Sequence, residues 1–169
     1  MAHGARPTGL SAPVDLGRPI SVYRVARAAY PLFDGSGAAR FGARWTSAGR
    51  PVVYSSGSYA GALLEILAHA RRPDLEVQYR CLVIHISSGT AIQEVVVAEV
   101  PDWTAADYLS SRAVGDQWLD RAETAVLRVP SITGRPHEHN YIINPQHQDV
   151  RKLDFDEPHD VVWDARLRP

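Results

Sequence analysis

Cysteine is almost absent from this 169-residue chain, which carries one, Cys81. A single thiol excludes an intrachain disulfide and a four-cysteine zinc cage. It adjoins the apolar run Leu82-Val83-Ile84 and reads as a buried structural thiol. This cysteine usage fits a reducing, cytoplasmic compartment. A charge excess is also missing: Lys and Arg number 18 against 19 Asp and Glu. That balance offers no basic stripe for nucleic acid and no acidic bias toward disorder. No apolar run approaches the ~18 residues of a membrane span. Nor is there a metal motif. His137, His139 and His147 lie close together, but HExxH and Cys/His clusters are lacking, so no metal is expected. The glycine-rich stretch 33–45 lacks the Gly-Lys-Ser/Thr ending of a phosphate-binding P-loop and the strand-to-helix spacing of a dinucleotide fingerprint.

What is present suits one globular domain, since hydrophobic residues make up 45% of the chain and the length suffices for a real core. Residues 1–19, rich in proline and glycine and without the apolar core of a signal peptide, are expected to form a flexible N-terminal arm that drapes over the domain or docks on a partner. The domain itself is expected over 20–169. Alternation predicts a first strand from Ile20 to Val25, and Pro51 to Ser55 reads as a short buried strand. Ser58 is a plausible N-cap. Leu63, Ile66, Leu67 and Ala70 then mark one face of a helix that Pro73 ends. Further strands are expected over 79–86, 91–97, 125–129, 139–143 and 151–155, with an edge strand at 161–163. A second helix is expected over 113–123, with Trp118 and Ala122 on its inner side. Many short strands and two clear helices predict an α+β fold with a curved antiparallel core.

Several polar residues fall where the pattern predicts burial: Arg24 in the first strand, Arg44 at the end of the glycine stretch, Tyr54 after Val52-Val53, and Glu65 beside Ile66. A charge is costly to bury unless it is paired or meets a ligand. Each also has a structural reading. Arg24 and Glu65 could form an ion pair, Arg44 could stack on Trp45, Tyr54 could be a core aromatic, and Glu65 could face water.

In order, the chain shows Val22-Tyr-Arg24, Asp34-Gly-Ser-Gly37, Gly42-Ala-Arg-Trp45, Val53-Tyr-Ser55 and Ala62-Leu-Leu-Glu65. Then come Val100-Pro-Asp-Trp103, Gly115-Asp-Gln-Trp118, Val129-Pro-Ser131, Asn140-Tyr-Ile-Ile-Asn-Pro145, Phe155 and Asp164-Ala-Arg-Leu167. This succession resembles the RES domain, named for an arginine, a glutamate and a serine. The resemblance spans about residues 20–167. The family's Gly-Gly-Arg-Trp-Asn segment is here Gly42-Ala-Arg-Trp-Thr46, with the arginine in place.

The resemblance implies a fold like that of the diphtheria-toxin-like ADP-ribosyltransferases and a toxin that uses NAD as substrate. It also implies a partner antitoxin of the Xre helix-turn-helix type, hence a hetero-oligomer. It maps the family's arginine to Arg24, its glutamate to Glu65 and its serine to Ser131. Arg44 and Tyr54 match further residues of the NAD pocket, and Asn140 is a weaker candidate that could instead hold a loop. Guanidinium groups suit a pyrophosphate, and an aromatic ring suits nicotinamide. A carboxylate suits the positive charge left on ribose when nicotinamide departs. The leading expectation is cleavage of the nicotinamide–ribose bond by inorganic phosphate or water. The alternatives are protein mono-ADP-ribosylation at the same site and a non-catalytic binding module.

Overall fold

The computed structural model describes residues 9–69 and 77–167. The chain runs β1 (Val14–Asp15), β2 (Ile20–Arg27), α1 (Ser36–Phe41), β3 (Val53–Ser56), α2 (Tyr59–His69), β4 (Tyr79–Ile86) and β5 (Ala91–Glu94). It continues with α3 (Leu109–Arg121), β6 (Val126–Pro130), β7 (His139–Ile143), β8 (Leu153–Phe155) and β9 (His159–Asp160). Among the described residues the strands form one curled sheet in the order β1-β5-β6-β7-β3-β2-β4-β8, and β9 also pairs with β4. The pairs are antiparallel except β5 with β6. Those two are joined through α3, the long crossover that a parallel pair requires.

Both faces of the sheet are covered. Along β4, Cys81 and Tyr79 join a cluster with Val25, Ala62 and Trp163, while Leu82, Ile84 and Ile86 join a second with Val22, Val126 and Ile143. Two buried faces explain why β4 reads as a near-continuous apolar run. A third cluster holds Trp45, Val114, Trp118, Leu127, Val129 and Ile142. Strand alternation places it on the same face as α2, because Tyr23 pairs with Ser56, and Ser56 and Tyr54 share a face. Helix α2 therefore covers one half of that face and α3 the other.

The Ser58 hydroxyl caps α2 by accepting from Gly61 N–H at 3.0 Å, which leaves Leu63, Ile66 and Leu67 against the sheet. Ala70 and Pro73 lie outside the described residues.

Several boundaries differ from expectation, each for a local reason. The glycine stretch contains α1, entered through Gly35 at φ 71°. A Cβ there would meet Val52 N at 2.6 Å. Strand β5 stops at Glu94, and a 3-10 turn, Val97–Glu99, follows. Helix α3 begins at Leu109, four residues before the expected start, and ends before Ala122. Ala122 adopts φ 47° and is exposed, so only Trp118 of the expected inner pair is buried. Arg151 and Lys152 belong to a 3-10 turn, and β8 starts at Leu153. The expected edge strand at 161–163 pairs instead at His159–Asp160. Trp163 then packs edge-on against Tyr79.

Part of the segment expected as a flexible arm is held. Leu10 is buried against Val95 and Val114, β1 pairs with β5, and Gly9 N–H donates to Glu99 Oε2 at 2.8 Å. Apolar burial and an edge pairing hold residues 9–15. Residues 1–8 lie outside the described residues.

Candidate active site

The sheet opens between β2 and β3. These strands share the single register pair Tyr23–Ser56, whereas β2 pairs with β4 along its whole length, from Ile20–Ile86 to Arg27–Tyr79. Past that pair a side chain links the strands: Arg24 Nη1 donates to the Tyr54 carbonyl at 3.3 Å. Arg24 Nε is buried and has no hydrogen-bond partner among the described residues. Burial pushes the Arg24 guanidinium below its usual range, and the nearby Asp34 charge opposes that shift. An orphaned N–H on a buried cation is expensive, and an anionic ligand would relieve it.

On the face between α2 and α3, Glu65 gathers partners from distant segments. Its side chain is 17% exposed. Its Oε1 accepts from Asn140 Nδ2 at 2.8 Å, Thr133 Oγ1 at 2.9 Å and Ser131 Oγ at 3.1 Å. Ser131 and Thr133 hydroxyls lie 3.0 Å apart. Each carries one proton, so a hydroxyl that donates to Glu65 cannot also donate to the other. Among the described residues the other carboxylate oxygen, Oε2, accepts no hydrogen bond, and the largely exposed His69 Nε2 lies 3.6 Å from it. Oε1 is thus held by three side chains from the β6–β7 region.

The loop between β6 and β7 is built to present these donors. Ser131 N–H donates to the Glu138 carbonyl, and Gly134 N–H donates to Ser131 Oγ. Ser58 Oγ donates to Glu138 Oε2 at 3.0 Å, tying the start of α2 to the same loop. Helix and loop are thereby fixed to each other at the start of α2 and at Glu65.

Arg44 and Tyr54 lie with the Trp45 and Trp118 cluster, on the α3 side of the sheet. Arg44 Nη1 donates to the Trp103 and Ala105 carbonyls at 3.0 and 3.1 Å, and its guanidinium lies 4.4 Å over the Tyr108 ring. The Tyr54 hydroxyl accepts from Trp45 N–H and lies 3.1 Å from Thr46 Oγ1. Burial raises the Tyr54 phenol well above its usual range, outweighing these hydrogen bonds. Trp103 stacks on Trp45.

Glu65, Ser131 and Asn140 are therefore in direct contact. Arg24 lies on the face of Val22 and meets the Tyr54 carbonyl, Arg44 and Tyr54 are bonded to the 103–108 and 45–46 segments, and among the described residues none of the three bonds to Glu65. Sequence reasoning missed Thr133, two positions after Ser131, and Glu138, whose role needs the folded loop. The histidines serve locally: His147 accepts from Asp149 N–H, and His139 lies beside Arg128, with burial and then Arg128 pushing its imidazole below the usual range. A cavity of about 530 Å³ between Tyr30–Phe33 and Phe155–Pro158 shares no lining residue with the Glu65 cluster.

Comparison with known proteins adds sequence and fold relatives. The family model described as the RES domain matches residues 21–164. A protein named Toxin Res from Pseudomonas putida is 36% identical over 141 residues, covering 82% of this chain and 94% of that relative. Another Toxin Res, from Photorhabdus laumondii, is 32% identical over 145 residues, covering 79% and 92%. A Sphingobium protein named Prs ADP-ribosylating toxin is 30% identical over 138 residues, covering 79% and 85%. Among solved structures, a chain of the M. tuberculosis MbcT–MbcA toxin–antitoxin complex aligns with a TM-score of 0.74 at 20% identity. It covers 88% of this chain and 86% of that one, a likeness of fold.

Proposed function

The chain belongs to the RES domain family, and on that premise we propose that it is a toxin that consumes NAD by cleaving the nicotinamide–ribose bond. The observation that carries this reading is the Glu65 carboxylate, with Oε1 fixed by Asn140, Thr133 and Ser131 and Oε2 without a hydrogen bond among the described residues. Cleavage leaves positive charge on the ribose, as in glycoside hydrolysis. A carboxylate already oriented at that point stabilises the charge without reorganising. Nicotinamide departs as a neutral base, so no general acid is required. The orphaned Nε of Arg24 fits a pyrophosphate oxygen. Arg44 holds the Trp103 segment, and the partly buried Tyr54 ring offers an apolar surface to the nicotinamide end. Ser131 and Asn140 act through Glu65.

Inorganic phosphate or water is the acceptor in the leading reading. A second reading, transfer of ADP-ribose to a protein, is favoured by the Sphingobium relative named for ADP-ribosylation. Incubating the purified chain with NAD, with and without phosphate, and weighing the products separates them. A phosphorylated ADP-ribose, free ADP-ribose, or a protein gaining the ADP-ribosyl mass each identifies one acceptor. Nicotinamide release in none of these conditions would reject the reading.

The proposed partner is a cognate antitoxin of the Xre type, which would hold the chain inactive in the cytoplasm by covering this cleft. The fold neighbour solved as a toxin–antitoxin complex supports pairing of this general kind. Among the described residues no helix is long and apolar enough to cross a membrane.

A further inference from the structure

The loop that supplies Ser131 and Thr133 to Glu65 also carries Arg135, whose guanidinium lies 5.8 Å over the Trp103 ring. This contact links the β6–β7 loop, two residues beyond Thr133, to the segment held by Arg44. We infer that Arg135 is a phosphate-binding specificity residue, which exchanges the Trp103 ring for the substrate's pyrophosphate and leaves Trp103 to line the bound ligand. The inference rests on the NAD reading and adds to it a residue that the sequence did not single out.

Two features make the exchange feasible. Arg135 is exposed, and its Nε donates to the Ile132 carbonyl at 3.2 Å. Among the described residues its two terminal nitrogens have no hydrogen-bond partner. An exposed cation–π contact is weak, whereas a guanidinium binds phosphate oxygens through parallel, charge-assisted hydrogen bonds. Trp103, in turn, does not depend on Arg135 for its position. It stacks on the buried Trp45, with centroids 5.8 Å apart and planes at 22°, and its carbonyl is held by Arg44 at 3.0 Å. Removing Arg135 from the ring therefore leaves Trp103 in place.

Arg44 is differently placed. Its Nη1 is shared by two backbone carbonyls, and its guanidinium packs on Tyr108. It serves chiefly as a staple, so the readily freed guanidinium on this side of the cleft is that of Arg135.

The test uses the full chain, with ADP-ribose and nicotinamide riboside as calorimetric probes and NAD as substrate. Arg135→Ala should weaken ADP-ribose binding and raise the KM for NAD by roughly 10-fold or more, the scale of one hydrogen bond to a charged group. The kcat should stay within about twofold, and the thermal midpoint should not move, since an exposed side chain is lost. Arg135→Lys should recover part of the affinity. Binding of nicotinamide riboside, which lacks the pyrophosphate, should be unaffected. ADP-ribose should change tryptophan fluorescence in the parent chain and change it less in Trp103→Phe. Unchanged ADP-ribose affinity in Arg135→Ala, equal losses for both probes, or no ADP-ribose binding by the parent would overturn the inference. NAD turnover with Arg135-independent binding rejects this inference alone. Arg135-dependent ADP-ribose binding without NAD turnover rejects the catalytic reading and leaves the phosphate contact standing.

Discussion

Asn140 Nδ2 donates to Glu65 Oε1 at 2.8 Å across 75 positions of sequence. The contact joins the middle of α2 to the second residue of β7, so it forms only when helix and sheet are both in place. Asn140 therefore positions the carboxylate rather than merely holding the loop that ends at Pro145. Asn140→Ala should lower stability by about 1.5–3 kcal/mol, the usual cost of removing a hydrogen bond from a charged group. It should also slow NAD turnover. Denaturant unfolding and a nicotinamide-release assay read the two effects, and a variant with unchanged turnover would show that the other two donors suffice.

Arg24 should trade stability against binding. Its buried guanidinium has an orphaned Nε and is pushed down by burial. Replacing an under-satisfied buried charge with an apolar side chain of similar length is often neutral or stabilising. Arg24→Met should therefore keep or raise the thermal midpoint of the free chain. The same variant should lose the stabilisation that ligand confers, about 2.7 kcal/mol at a ligand concentration of 100 Kd. Thermal melts with and without ADP-ribose measure both. A variant that melts far lower without ligand would make Arg24 a structural tie between β2 and β3.

Two glycines should respond oppositely to alanine. A Cβ at Gly115 would collide with the Trp45 carbonyl oxygen, where α3 packs on the segment that precedes Tyr54. Gly115→Ala should cost about 3 kcal/mol or more by overpacking. At Gly37 in α1 nothing lies within 4 Å of an added Cβ. Gly37→Ala should gain about 0.5–1 kcal/mol from helix propensity. Urea midpoints of both variants check the contrast.

Cys81 is fully buried, and burial raises its thiol from 9.0 to about 11. The folded chain keeps a proton that the unfolded chain releases, so this group's contribution is complete below about pH 9. It is lost as pH rises to about 11, by up to about 3 kcal/mol. Cys81→Ala should show a shallower loss of stability between pH 9 and 11 than the parent. Parallel curves for the two proteins would contradict this.

The elements with strong periodicity were legible in the sequence: α2 with its Ser58 cap, the apolar runs of β4 and β7, and the α+β class. The boundaries that depend on tertiary context were not. Nothing local marks Ala122 as the left-handed end of α3, or pairing at His159–Asp160 instead of 161–163. The cost of burying charge singled out Arg24 and Glu65, and the family resemblance added Ser131. Thr133, Glu138 and Arg135 escaped because their loop looks like ordinary turn chemistry until Glu65, Ser58 and Trp103 are brought against it. The same physics separates Arg44 from the rest, since only the folded chain presents the Trp103 and Ala105 carbonyls that its Nη1 binds.

The central claim is that Glu65 stabilises the cationic ribose formed from NAD. The most direct measurement is nicotinamide release from NAD by the parent chain and by Glu65→Gln, with products weighed in the presence and absence of phosphate. The substitution is nearly isosteric and removes the charge. The parent should release nicotinamide, and Glu65→Gln should retain its fold and ADP-ribose affinity while losing about 100-fold or more in rate, the scale for removing one such electrostatic contact. Equal rates in the two proteins, or no release by the parent, would contradict the claim.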